Sequence, residues 1–251
     1  MKVRASDTVD DLVTNNIKAA KVLSKHGIDF FSDGDKPLAE ACAEAGITVS
    51  SLLQEIADLE KYREQGAPDV ATLELDKLAD YIEEYHHHYT EENILFIRIN
   101  LSRLVTLYGE AHPELTELKE IFDDLTSRMT VHMNHEKFIV FPYIRQLVQG
   151  DGAVKSTVFR SVSSPIQEMT HDHEERAIYL KKIHELTNYY SAPPNTGNAF
   201  SLTYAAMREL EKDLYRHITL EDEVLFPRAL EAERMRSRER ESRSHDSTRR
   251  P

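Results

Sequence analysis

One pattern occurs twice in this chain: H-x-x-x-E-x-x-x-x-F-P. The first copy holds His132, Glu136, Phe141 and Pro142; the second holds His217, Glu221, Phe226 and Pro227. A His and a Glu four residues apart lie one above the other on a single helix face. Imidazole nitrogen and carboxylate oxygen on one face suit a borderline or hard metal ion. A lone pair at this spacing is common on solvated helices. A repeat with the same Phe-Pro ending needs a further cause.

Both pairs fall within apolar seams. Around the first run Leu118, Phe122, Leu125, Met129, His132, Glu136, Ile139 and Tyr143, at steps alternating between four and three. Around the second run Leu210, Leu214, His217, Glu221 and Val224. A carboxylate placed in a seam is costly to bury without a partner. Two of them, one per helix, call for bound cations.

The seams belong to a series of long helices. The spacing predicts helix from Leu73 to Tyr108, from His112-Pro113 to Val148, from Ser164-Pro165 to Tyr190, and from Phe200 to Ala232. Gly150-Asp151-Gly152 and Ser191 to Gly197 break the series. No alternating β pattern occurs. The expected fold is all-α, an up-down four-helix bundle over residues 67–233. Residues 1–66 form a small helical domain. It has a helix over Thr8 to Ser24 stopped by Lys25-His26-Gly27, a short one from Leu38 to Ala45, and a third through Leu52, Leu53, Ile56 and Leu59. Gly66-Ala67-Pro68 is the expected linker. Residues 234–251 carry seven Arg against three acids, mixed with Ser, and read as a disordered tail.

The other two long helices supply further candidate ligands. His173 shares a seam with Ile166, Met169, Ala177 and Leu180, whereas His171 falls off it. The first long helix offers Tyr85-His86-His87-His88-Tyr89. Counting forward from Leu75, Leu78 and Ile82 selects His86; counting back from Ile94, Ile97 and Leu101 selects His87. Spacing leaves the choice open: His86 and His87 precede His132 by 46 and 45 residues, and His173 precedes His217 by 44. The chain reads as an internal duplication, a single-His helix followed by an H-x-x-x-E helix, twice over. Four His and two Glu around one point are too many for one tetrahedral zinc. They suit a dinuclear site with bridging carboxylates, filled by iron, with manganese as the other metal that these donors accept. His26, His112, His135, His184 and His245 read as non-ligands, and Tyr85, Tyr89, Tyr143 and Tyr179 as packing residues.

Composition narrows the function classes. The net charge of −13 argues against a general nucleic-acid binder. Cys42 is the single cysteine, so no internal disulfide forms. The N-terminus has no apolar signal core, and no run approaches the roughly 18 apolar residues of a membrane span. A soluble cytoplasmic protein, bound to no membrane, is expected.

These residues resemble a known family. The bundle is similar to a hemerythrin-like HHE cation-binding domain. With the N-terminal domain, residues 6–231 resemble the iron–sulfur cluster repair di-iron proteins, the ScdA/YtfE (RIC) family. His112-Pro113-Glu114-Leu115, the H-M-x-x-E segment at His132, Pro165-Ile166 through Met169 to Asp172-His173, and His217 through Leu230 carry the resemblance. It implies two irons held by His132, Glu136, His173, His217 and Glu221. The family's remaining ligand follows a Tyr, which matches Tyr85-His86 and implies His86. Asp172 matches a carboxylate beside the family's site. Where some members carry a further His near the end of the first long helix, this chain has Tyr108.

The resemblance also implies a role in nitrosative or oxidative stress: iron donation to damaged iron–sulfur proteins, and reductive chemistry on nitric oxide. A diatomic ligand, nitric oxide or oxygen, is the expected small partner, and a homodimer is compatible with the sequence. Lys25-His26-Gly27-Ile28-Asp29-Phe30 fits the family's H-G-I-D-Y lead. The Cys-Cys pair that follows in the family is replaced by Phe31-Ser32. Thiolates are soft iron ligands, so any step that uses them there is lost. The alternative is a hemerythrin-like oxygen or nitric oxide binding or sensing protein without turnover.

Overall fold

The computed structural model describes residues 3–14, 16–64, 70, 72–149 and 161–247. The chain is all-α; among the described residues the one β feature is an isolated bridge between Thr8 and Pro37. Four short helices come first: α1 (Val9–Val13), α2 (Ile17–Lys25), α3 (Leu38–Glu44) and α4 (Val49–Glu64). Four long ones follow. α5 comprises Leu75–Tyr81, a π-turn Ile82–His87, and His88–Tyr108. α6 comprises Glu114–His135, a π-turn Glu136–Val140, and Phe141–Gln149. α7 is Ser163–Leu186. α8 comprises Gly197–Leu220, a π-turn Glu221–Leu225, and Phe226–Ser247.

Where the sequence predicts one helix over Thr8 to Ser24, two occur. Thr8 and Asp11 cap α1 reciprocally: the Asp11 amide donates to Thr8 Oγ1 at 3.1 Å, and the Thr8 amide donates to Asp11 Oδ2 at 3.0 Å. Asn16 then opens α2 by accepting the Ala19 amide at 3.1 Å. α2 stops at Gly27, whose φ of 75° lets the Ile28 amide reach back to the Leu23 carbonyl at 2.9 Å.

α7 ends at Leu186 rather than Tyr190, because Asn188, Tyr189 and Tyr190 adopt positive φ. α8 runs on to Ser247 through the stretch expected to be disordered. That stretch has no Gly or Pro before Pro251 and is rich in Arg and Glu, which are good helix formers. The Gly66-Ala67-Pro68 linker and the Gly150-Asp151-Gly152 break lie outside the described residues.

The chain divides into two compact units. One contains residues 1–67, 93–122 and 182–211. The N-terminal helices share this unit with residues 93–122 and 182–211. Phe30 stacks on Phe96 with centroids 6.4 Å apart, Arg103 pairs with Asp29, and Asn198 donates to Thr14 Oγ1 at 3.2 Å. The other contains residues 68–92, 123–181 and 212–251, and holds parts of all four long helices. Its apolar core gathers Leu78, Ile82, Val140, Phe141, Ile144, Ile166, Met169, Leu225 and Phe226. Both Phe of the repeated motif are in this core, which explains why the Phe-Pro ending recurs with the His-Glu pair.

Candidate metal centre

All the candidate ligands lie in this second unit. Glu136 and Glu221 are fully buried, and His132, His173 and His217 are nearly so. Two four-residue groups bring their donor atoms within 4.8 Å of one another. One is His132, Glu136, His173 and Glu221; the other is His87, Glu136, His217 and Glu221. Each Glu belongs to both groups, as a bridge between two ions requires.

The geometry repeats across the two halves. Glu136 Oε1 is 3.0 Å from Nε2 of His132, and its Oε2 is 3.2 Å from Nε2 of His87. Glu221 Oε1 is 2.9 Å from Nε2 of His217, and its Oε2 is 3.3 Å from Nε2 of His173. Each Glu thus faces the His four residues before it and the His of the preceding long helix. The motif aromatics repeat too: Phe141 stacks on His87 at 5.6 Å, and Phe226 on His173 at 6.3 Å.

On α5 the two-fold pattern includes His87 and not His86, the residue implied by the resemblance. His87 stands where His173 stands in the other half, and His86 enters neither group. Both are buried, because the π-turn Ile82–His87 inserts a residue into the helical repeat. The two opposed counts, forward to His86 and backward to His87, are therefore both right about burial. His86 Nδ1 lies 3.0 Å from Oδ2 of Asp213, and its ring stacks on His217 at 5.7 Å. The π-turns in α6 and α8 begin at Glu136 and Glu221. They shift the seam by one residue, so Val140 and Leu225 are buried in place of Ile139 and Val224.

Carboxylates outside the cluster orient two imidazoles. Nδ1 of His132 is 3.0 Å from Asp172 Oδ2, and Nδ1 of His173 is 3.0 Å from both oxygens of Asp222. With Nδ1–H donated outward, both Nε2 lone pairs face inward, and the two Nε2 atoms lie 3.2 Å apart. Asp172 was anticipated from the resemblance; Asp213 and Asp222 were not. Both were within reach of the spacing argument. Asp213 lies four residues before His217 on the same face, and Asp222 directly follows Glu221.

The electrostatics suit a cation. Burial lowers the pKa of His173 and takes that of His217 well down, so both imidazoles are held in the neutral form that binds metal. Burial pushes the Glu136 carboxyl up, but His132, His87 and His217 outweigh it and hold it well below its usual range. Burial and the neighbouring Glu136 push Glu221 well above. Both oxygens of Glu136, Oε2 of Glu221, Nε2 of His86 and His87, and Nδ1 of His217 are buried with no hydrogen-bond partner. Their close contacts are not aligned as hydrogen bonds. Six orphaned polar atoms in one core are costly. Metal ions would satisfy those that face the cluster, and the donor set of imidazole and carboxylate fits iron.

Of the other histidines, His171 is exposed, and His184 pairs with Glu211 at 2.9 Å. Tyr179 is half-buried and donates to Asp124. At the turn where the family resemblance expects a thiol pair, Ser32 Oγ donates to Asp29 at 2.8 Å and the Arg103 guanidinium lies over Phe31 at 5.4 Å. Cys42 is buried in α3, and burial raises its thiol pKa, which makes it a packing residue. No described helix is long and apolar enough to cross a membrane.

Comparison with known proteins gives two family matches. Residues 97–229 match the hemerythrin HHE cation binding domain, and residues 5–60 match ScdA_N, described as a domain of unknown function. The iron-sulfur cluster repair protein ScdA of Staphylococcus epidermidis is 24% identical over 225 residues, covering 89% of this chain and 98% of that protein. ScdA of Staphylococcus haemolyticus is 28% identical over 218 residues, 87% of this chain and 95% of the relative. The iron-sulfur cluster repair protein YtfE of Escherichia coli is 27% identical over 216 residues, 86% of this chain and 93% of the relative. The chain belongs to the hemerythrin HHE cation-binding family and, by its two domain matches and these relatives, to the ScdA/YtfE iron–sulfur cluster repair group.

Proposed function

We propose that this protein is a non-haem di-iron protein that acts in iron–sulfur cluster repair under nitrosative or oxidative stress. The observation that carries the reading is the pair of buried carboxylates shared between two imidazole pairs. His132 and His173 would hold one iron, His87 and His217 the other, and Glu136 and Glu221 both. His86, the ligand implied by the family resemblance, is assigned instead to support His217. Bound iron would supply redox chemistry and open coordination positions for a diatomic ligand.

The chain's own residues do the rest. Asp172 and Asp222 fix the tautomer and angle of His132 and His173. Phe141 and Phe226 wall the imidazoles against water and strengthen the electrostatics of the site. The repair names of the relatives point to damaged iron–sulfur proteins as partners.

The test is to mix the iron-loaded protein with an enzyme whose iron–sulfur cluster has been damaged by nitric oxide. The loaded protein should restore that enzyme's activity, and the metal-stripped protein should not. No restoration in stoichiometric excess would overturn the repair role. The replacement of the thiol pair by Phe31-Ser32 favours a second reading, a binding or sensing protein without turnover. It expects reversible uptake of nitric oxide or oxygen and no cluster restoration.

A further inference from the structure

Arg176 follows His173 by three residues on α7 and is only 5% exposed. It takes the inward position expected for Ala177, which is exposed. It makes no hydrogen bond or ion pair among the described residues. A guanidinium does not shed its proton in a protein, so its burial must be offset by negative charge. Burial works against the charge, while Glu136, Glu221, Asp172 and Asp222 favour it from a distance. Once Glu136 and Glu221 hold metal, their charge is taken up by the ions. Two divalent cations cancel the four carboxylates Glu136, Glu221, Asp172 and Asp222, and Arg176 is then left without net negative charge to offset its burial.

Arg176 also lines a cavity of about 340 Å³ together with Leu125, Val131 and Asp172. The other charged groups of that wall are matched. Arg128 pairs with Asp124 and Glu175, and Asp172 accepts from His132. Arg176 is the unmatched charge. Its planar fork of donors suits a carboxylate or oxyanion, which it can grip with two parallel hydrogen bonds.

We propose that Arg176 and this cavity form a seat for a small planar anion, a carboxylate or oxyanion, beside the metal centre. An anion bound there supplies the negative charge that Arg176 lacks once the metal is bound. The proposal rests on the dinuclear reading above, and its test keeps the two apart.

Formate, which is redox-inert, is titrated calorimetrically into metal-loaded wild type, Arg176→Met and Arg176→Lys, with metal content measured on every sample. Wild type should bind one formate per chain. Arg176→Met should bind it at least tenfold more weakly, and Arg176→Lys at least threefold, because an ammonium keeps the charge but not the fork. Equal affinity at equal metal content overturns the seat, as does a loaded wild type that binds no formate. If Arg176→Met does not fold, Arg176→Lys decides in the same way. A wild type that takes up no metal instead brings down the dinuclear reading.

Discussion

His87, His132 and Glu136 form one half of the candidate metal centre; His173, His217 and Glu221 form the other. The skeletons match, with each Glu facing two imidazoles and each motif Phe stacked on the imidazole of the preceding long helix. The supports do not match. His132 and His173, which share one group, are both held at Nδ1 by carboxylates, Asp172 and Asp222. His217, in the other group, has a buried Nδ1 without a partner, and the nearest equivalent of Asp172 is His86. A carboxylate behind an imidazole raises its basicity and locks its angle. The His132/His173 group should therefore hold metal more tightly than the His87/His217 group. Duplication built the ligands twice, but the residues behind them diverged.

The largest effect is expected at the shared carboxylates. Glu136→Ala and Glu221→Ala should each abolish binding of both ions, because each Glu serves both groups. Elemental analysis of purified variants measures this, and full iron retention in both would sink the assignment. Next comes the α5 ligand. His87→Ala should lose about half the metal, while His86→Ala should keep most of it. If His86→Ala loses as much as His87→Ala, the symmetry between His87 and His173 does not describe the ligands.

The supporting carboxylates rank below these. Asp172→Ala or Asp222→Ala should weaken metal binding by about 10–100-fold in competition with a chelator. Asp213→Ala should have a smaller effect, because Asp213 acts on His86. Equal losses at all three positions would erase the asymmetry. The smallest effect is expected at the C-terminus. Deleting residues 239–251, a cut that spares Glu233, should leave the melting temperature within about 1 °C. A cut that also removes Glu233 should lower it visibly, since Glu233 accepts from Ser161 Oγ at 2.8 Å and the Val162 amide at 3.0 Å.

Much of the site was legible in the chain itself. A buried His-Glu pair in an apolar seam is a local signal, set by helical periodicity, and His132, Glu136, His217 and Glu221 are where the seams put them. His173 was legible for the same reason. Arg176 was missed because an Ala, not an Arg, is the ordinary choice for an inward position. The α5 ligand was ambiguous because periodicity assumes a constant repeat, and the π-turn at Ile82–His87 breaks it. A single inserted residue advances everything after it by roughly 100° around the axis.

The sequence by itself determined the helical class, the four long helices, the duplicated His-Glu pairs and the absence of a thiol pair at Phe31-Ser32. Each follows from composition or from contacts within a few residues. The tertiary structure alone decided that Glu136 and Glu221 are shared, that His87 rather than His86 joins the cluster, and that His132 and His217 are supported differently. These depend on side chains up to 127 residues apart, as His86 and Asp213 are. Local periodicity can say which face of a helix is buried, but only packing brings particular atoms of different helices to one point.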